Sequence, residues 1–417
     1  MRLLFLSSFY PPHDRGGFEQ LCDEVAVLLR QRGHTVSILT TRSSLLPISQ
    51  PEPYVTRTLY LQADVDYYRI SDFFFKRAVR ERANARALRT AIERAAPDLF
   101  VVWGMWNLSR NLPYWAEQWL PGRVAYYIAS TWPCDVDIHE EYWQLPARRP
   151  WGEVIKRLLR ALARSQLARE HYPPRLQFEH AVCVSQYIHT RLVNAGQLPG
   201  HSGVVYNGID PEPFVRCARV NEPAASGPLR LLYLGSLVTI KGVDAAIEAM
   251  GLLKQRGLID RVQLTITGDG HPDYEARLHA MTRQLDVSDH VRFTPRIPRS
   301  EVPAYLPLFD VYLFTSCGPE AMARAVMEAM ASGLLVIGAE IGGQVEMLRH
   351  DQNALTFQPG DARGLADSIA RAIEQPALRE QLARAGQQTV LERFTVQRMV
   401  DELEVFFAQA AASADAA

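Results

Sequence analysis

Two glutamates eight positions apart, Glu320 and Glu328, bracket the segment Ala321-Met322-Ala323-Arg324-Ala325-Val326-Met327, which is apolar apart from Arg324. A carboxylate accepts paired hydroxyls well, as on a ribose or a hexose. With Glu320 in a loop and Glu328 inside the following helix, both can face one site. Glutamates on helices are usually solvated. Glu328, however, lies among Met327, Ala329 and Met330, where burial needs a partner. A second candidate is Lys241, in Gly235-Ser236-Leu237-Val238-Thr239-Ile240-Lys241-Gly242, and the chain holds only four lysines (Lys76, Lys156, Lys241, Lys254) among 45 basic residues. A lysine between a strand and a helix suits a phosphate as a compact point charge. A solvated loop lysine is the plain alternative. Gly16-Gly17, ahead of a helix, lets backbone amides approach an anion or simply makes a turn. Neither glycine loop is a G-x-G-x-x-G or a G-K-[ST] sequence, which disfavours a nicotinamide oxidoreductase.

These residues need elements to hold them. Leu3–Ser7 reads as a strand, Phe18–Arg32 as a helix and Thr35–Thr40 as a strand, with Phe100–Trp103, Val124–Ile128 and Ala181–Val184 as further strands. After Glu222–Pro228, which has linker composition, the rhythm restarts with strand Leu229–Leu234 and helix Val243–Arg256. Strand Val262–Thr267, helix Tyr274–Leu285 and strand Val311–Phe314 follow, then a helix near Arg324–Ser332 and strand Leu334–Ile337. Such alternation predicts an α/β fold with two doubly wound parallel-sheet domains facing each other across a cleft. Ligands in such sheets sit beyond the carboxyl ends of the strands, at helix N-termini. The expected division is 1–215, 216–393, a C-terminal helix over 394–411 returning to the first domain, and a frayed Ala-rich tail over 412–417.

Composition narrows the class. The 417 residues are 47% hydrophobic and 22% charged with a formal net charge of −1, ordinary for a globular protein and against a nucleic-acid binder built on bulk positive charge. Five scattered cysteines without a C-x-x-C pair argue against a disulfide framework and a thiolate zinc site, and predict a reducing cytosol. No apolar run approaches the length of a membrane span. Met1–Leu6 reads as a buried strand rather than a signal peptide, because Asp14, Arg15 and Glu19 soon follow.

With these motifs in order, the chain resembles the retaining glycosyltransferase family 4, a two-domain GT-B family with Rossmann-like halves. The family's E-x7-E motif matches Glu320 and Glu328, and its G-R-L-x-x-x-K-G loop matches Gly235 to Gly242. Its N-G-[IV]-D turn matches Asn207-Gly208-Ile209-Asp210 with Phe214, its P-P-x-x-G-G-x-E opening matches Pro11 to Glu19, and its G-D-G loop matches Gly268-Asp269-Gly270. The resemblance implies transfer of a sugar from a UDP- or GDP-type nucleotide sugar to a glycan, lipid-linked or small-molecule acceptor, with retention and without a metal or other cofactor. It implies that Lys241 holds the diphosphate, Glu328 the ribose hydroxyls, and Glu320 the sugar near its reacting carbon. Ala321 and the amides of Met322 and Ala323 would meet the sugar or phosphate, with Gly235, Ser236, Gly268 and Asp269 in the same pocket. Arg296 and Ile297 would line the nucleobase, and Gly16-Gly17 would close over the diphosphate. Two departures stand out. Ser236 replaces the family's phosphate-binding arginine, and Ala129-Ser130 stands before Thr131-Trp132-Pro133 where a His-Asp pair is usual. Acceptor-side candidates are Glu19, Trp103, Asp135 and His139.

The same departures motivate a competing reading, a catalytically silent binder of nucleotide sugar or glycan. Two Asp-x-Asp pairs, Asp64-Val65-Asp66 and Asp135-Val136-Asp137, match a metal signature of another transferase class, but neither follows a clear strand, and no metal is expected. Arg148 to Glu170 holds seven basic and two acidic residues, with Trp151, Ile155, Leu158, Leu159 and Leu162 at helical spacing. Phe73-Phe74-Phe75-Lys76-Arg77 opens a second basic helix. These suit an anionic membrane surface, or equally a core-facing stripe. The expected location is cytoplasmic, peripheral to the inner face of the cell membrane.

Overall fold

Each short apolar run pairs with its neighbours as a parallel strand, and the amphipathic stretches between them are helices. The computed structural model describes residues 1–13, 16–42, 52–64, 68–147, 150–218 and 227–416. Asp66, Arg148, Arg149 and most of the Glu222–Pro228 segment lie outside the described residues. The chain divides into two units, one of Met1–Val184, Ile188–Val205 and Val400–Ala417, the other of Ser185–Tyr187 and Tyr206–Met399.

The first sheet and its connections comprise β1 (Arg2–Ser7), α1 (Gly17–Gln31), β2 (Thr35–Thr41), β3 (Val55–Leu59), α2 (Arg77–Ala95), β4 (Leu99–Val102) and α3 (Asn111–Trp119). β5 (Val124–Ile128), α4 (Ile138–Gln144), α5 (Glu153–Arg169), β6 (His180–Cys183), α6 (Gln186–Asn194) and β7 (Gly203–Val204) complete that stretch. Next come α7 (Glu212–Cys217), β8 (Leu229–Leu234), α8 (Val243–Gln255), β9 (Val262–Thr267), α9 (Pro272–Gln284), β10 (Val291–Thr294) and α10 (Val302–Tyr305). The chain ends with β11 (Val311–Phe314), α11 (Arg324–Ala331), β12 (Leu335–Ala339), β13 (Leu355–Phe357), α12 (Ala362–Glu374), α13 (Pro376–Arg393) and α14 (Val396–Ala416).

Among the described residues, the first sheet has seven parallel strands in the order β3-β2-β1-β4-β5-β6-β7. The second has six, ordered β10-β9-β8-β11-β12-β13. The strand order reverses between β1 and β4 and between β8 and β11. Loops leaving those strands diverge to opposite faces, which leaves a crevice at their carboxyl ends. The division falls at Val205 rather than after residue 215. Ile209, fully buried, donates its N–H to the Phe394 carbonyl at 3.0 Å, and the Ile209 carbonyl accepts from Val396 at 2.8 Å, so the turn belongs to the second unit. Helix α14 runs through the Ala-rich end to Ala416, as the helix propensity of alanine favours.

Two residues expected on the acceptor side are core residues of the first unit. Trp103 is 1% exposed, stacks on Phe5 and Phe18 at 5.6 Å, and donates its indole N–H to the Phe18 carbonyl at 3.3 Å. It follows β4, all four of whose residues are buried, and continues that apolar run inward. His139, also 1% exposed, sits in a cluster with Phe73 (5.0 Å) and Tyr172 (6.2 Å), its Nδ1 within 2.8 Å of the Tyr68 hydroxyl. Asp137 caps α4, accepting from the His139 N–H at 2.9 Å and the Tyr172 hydroxyl at 2.7 Å. Its carboxylate thus ties the start of α4 to Tyr172.

Burial pushes the His139 imidazole down to about 4, against a smaller opposing pull from the Asp137 carboxylate. The unfolded chain binds this proton near pH ~6.5, so the unfolded state gains protons first on acidification. Stability from neutral His139 is present above that pH and is lost as pH falls toward 4, by up to about 3 kcal/mol. His139→Gln should flatten this acid limb relative to the parent chain in urea titrations at neutral pH and about pH 4.5. Equal losses in both chains would contradict the assignment. Half-buried Glu81 and buried Glu117, whose carboxyls burial shifts upward, act with the opposite sign in both chains and cancel in the comparison.

Candidate functional site

In the second unit the chain leaves β8 through Gly235 and makes one tight turn, Thr239–Lys241, before Gly242 starts α8. Gly242 has φ +62°, and a Cβ there would lie 2.2 Å from the Thr315 carbonyl oxygen, so only glycine lets this loop rest on the end of β11. The contact is hydrogen bonded. The Ile240 carbonyl accepts from the N–H groups of Cys317 (2.9 Å) and Gly318 (3.0 Å), and the Thr315 hydroxyl donates to the Lys241 carbonyl at 2.7 Å. The consequence is an ion pair between Lys241 Nζ and Glu320 Oε1, the same oxygen that accepts from the Ser316 hydroxyl at 2.8 Å. From the far side, the turn Gly342–Glu346 presses on the Glu320 loop. Gly343 donates its N–H to the Glu320 carbonyl at 2.9 Å, and a Cβ at Gly343 would lie 1.8 Å from the Ala321 oxygen.

Glu328 lies inside α11, 4% exposed, among buried Met327, Ala329 and Met330. Its partner is Arg299, on a short turn after β10, whose guanidinium meets both carboxylate oxygens at 2.5 Å and lies 5.6 Å from the centre of the Phe214 ring. Sequence reading missed Arg299. The requirement for a partner at Glu328 was its only signal. Each carboxylate oxygen has a second lone pair, so the fork can hold Glu328 while it still accepts from a hydroxyl. Beneath the site, Tyr312 is driven above its usual phenol range by burial, and then by the Glu328 and Glu320 charges. It stays a neutral donor, bonded to the Leu234 carbonyl at 3.1 Å.

The other expected donor-side residues occupy neighbouring loops. Ser236 is exposed beyond β8, and the Gly235 N–H donates to the Thr267 carbonyl at 3.0 Å. Gly268 presses against the Gly235 carbonyl, and Asp269 accepts from the Arg296 N–H at 3.2 Å. Arg296 is exposed and Ile297 half-buried on the strand-end segment that leads to Arg299. Met322 is buried, and its carbonyl accepts from the Asn207 amide at 3.3 Å. Ala321 is half-buried, and Ala323, in extended conformation, caps α11, whose first-turn amides form the positive end of a helix. Arg324 is buried at that helix start.

In the first unit, extended Gly16 precedes α1, which begins at Gly17 and carries Glu19 in its first turn. Asp135 is exposed and accepts from the Thr131 hydroxyl at 2.9 Å. Among the described residues, no three His, Cys, Asp or Glu side chains come together as a metal-binding group.

Two doubly wound parallel sheets, each with loops gathered at its switch point, constitute the GT-B architecture. The family described as Glycosyl transferases group 1 matches residues 218–389, and that described as Glycosyltransferase Family 4 matches residues 15–213. The chain belongs to the family 4 glycosyltransferases. It is 33% identical over 225 residues to the amylovoran biosynthesis glycosyltransferase AmsK of Erwinia amylovora, a match spanning 52% of this chain and 54% of that relative. The chain thus spans about half the length of this curated relative. In three dimensions it is similar to sucrose-phosphate synthase from Thermosynechococcus elongatus, with a TM-score of 0.73 at 18% identity and 99% of each chain covered. Anabaena HepE in complex with UDP-glucose gives a TM-score of 0.68 at 19% identity, again with 99% of each chain covered.

Arg299→Ala would strand a buried carboxylate. It should destabilise the fold by about 1–3 kcal/mol, less than for a fully buried pair because Arg299 is partly solvated. Combining it with Glu328→Gln should recover much of that loss. A double-mutant cycle from denaturant unfolding checks this, and strictly additive effects would contradict a coupled pair.

Proposed function

We propose that this chain is a retaining glycosyltransferase that takes a sugar from a UDP-type nucleotide sugar and transfers it to a saccharide or lipid-linked acceptor without a metal. The observation that carries this reading is the convergence of Lys241 and Glu320 from the loops after β8 and β11, at the switch point of the second sheet, with Glu328 on the helix behind them. The amylovoran biosynthesis role named for AmsK supports a saccharide acceptor. The UDP-glucose held by HepE supports a UDP-type donor.

In the reaction, the bond between the anomeric carbon and the diphosphate oxygen breaks as the acceptor hydroxyl attacks from the same face. Negative charge develops on the leaving phosphate and positive charge on the sugar carbon. An ammonium has three donors, so Lys241 can keep Glu320 and still offer hydrogen bonds to phosphate oxygens. The α11 amides add a fixed positive potential there. Glu320, held by Lys241 and Ser316, presents its carboxylate to the electron-poor sugar. Same-face departure leaves the phosphate oxygen beside the acceptor hydroxyl, where it can take that proton. Glu328 accepts from the ribose, and Arg296 and Ile297 flank the base. With Trp103 and His139 in the core, Glu19 and Asp135 are the acceptor-side residues this reading retains.

Ser236 supplies no charge where the family carries arginine, which leaves Lys241 with more of the leaving-group charge. Lys241→Ala should cut turnover by about a hundredfold. The melting temperature should hold, since the side chain is on a partly exposed loop. Transfer should also survive EDTA. Retention of more than about a tenth of the activity in Lys241→Ala would assign the diphosphate to another cation. Full loss in EDTA reversed by Mn²⁺ would contradict metal independence.

A further inference from the structure

Helix α5 turns its apolar stripe outward. At about 100° per residue, Val154, Ile155, Leu158 and Leu162 fall within an arc of roughly 100°, and Trp151 stands on the short turn Pro150–Gly152 just ahead of the helix. Trp151 is 70% exposed and Leu158 67%, and Val154, Ile155 and Leu162 are each more than half exposed. The opposite side of the helix, through Ala163 and Leu167, packs on Phe73, Trp143 and Tyr172. That cluster satisfies the helix's inward face without the outer stripe. Arg157 and Arg164 are exposed along one edge of the stripe, about 100–120° from Leu158. Over Glu153–Arg169 the chain carries five basic residues, Lys156, Arg157, Arg160, Arg164 and Arg169, against the single acid Glu153.

A second exposed point springs from the same cluster. Phe73 and Phe74 pack into it, while the next residue, Phe75, is 79% exposed, followed by exposed Lys76 and Val79. Two apolar projections with basic neighbours are thus fixed to one rigid core. Among the described residues, no helix is long and apolar enough to cross a membrane.

We propose that the outward face of α5, with Phe75 beside it, docks on an anionic lipid bilayer. Apolar side chains enter the acyl boundary while Arg157, Arg164 and Lys76 meet lipid phosphates, the arrangement of an interfacial amphipathic helix. Charge selects this occupant over a second copy of the chain. A two-fold contact through α5 would bring two strongly basic helices together.

The test is co-sedimentation of the full chain with phosphatidylcholine vesicles, with and without phosphatidylglycerol, at low and high salt. Binding should require phosphatidylglycerol and weaken in salt. Arg157→Gln with Arg164→Gln should lower partitioning by about thirtyfold, the worth of two basic contacts. Leu158→Ser with Leu162→Ser should lower it at least as much. Both pairs are exposed, so the melting temperature should be unchanged, and a drop would be met by repeating the assay with Ile155→Ser alone. Binding that ignores these substitutions, or is equal on neutral vesicles, overturns the proposal. A concentration-dependent dimer abolished by Leu158→Ser, without vesicle binding, would also overturn it and assign the face to a second copy.

Discussion

At the carboxyl edge of the second sheet, loops from four strands touch backbone against backbone, with no room for a Cβ between them. The Lys241 loop rests on the end of β11 through Gly242, and the Glu320 loop is pinned through Gly343. This sets the distance between an ammonium and a carboxylate that are 79 residues apart in sequence. A side chain at either glycine would push apart the pair that the proposed chemistry needs. The site is rigid because main chain positions it.

Charge is then arranged in two layers. The outer pair, Lys241 with Glu320, is partly open to solvent and can exchange partners with a ligand. The inner pair, Arg299 with Glu328, is a bidentate fork around a buried carboxylate. A buried carboxylate without a partner would be too costly to keep, so Arg299 is what allows Glu328 to sit inside α11. The neutral tyrosines below, Tyr312 and Tyr233, add no competing charge, because burial drives both phenols upward.

Much of this was legible from local spacing. Strands β8, β9 and β11 fall where their apolar runs end, and Glu320, Glu328 and Lys241 declare themselves by type and offset. The strands that escaped were β3, β7, β10 and β13, the outer members of the two sheets. All but β13 are largely half-buried, so their apolar signal is weak. Arg299 escaped because its contact with Glu328 spans 29 residues and depends on tertiary packing. Trp103 and His139 misled because residue type suggests chemistry while burial decides use. For α5, periodicity located the apolar stripe but could not say which way it faced. Helix α5 buries Lys156, Ala163 and Leu167 and leaves Val154, Ile155, Leu158 and Leu162 outside.

The central claim is that buried Glu328, held by Arg299, accepts the ribose hydroxyls of a nucleotide sugar. Calorimetric titration of the full chain with UDP and GDP, and with the 2′,3′-dideoxy form of whichever binds, tests it directly. In the parent chain, loss of the hydroxyls should weaken binding by about tenfold or more. In Glu328→Gln the same loss should cost much less, because the accepting charge is gone. An equal penalty in both chains would contradict the account.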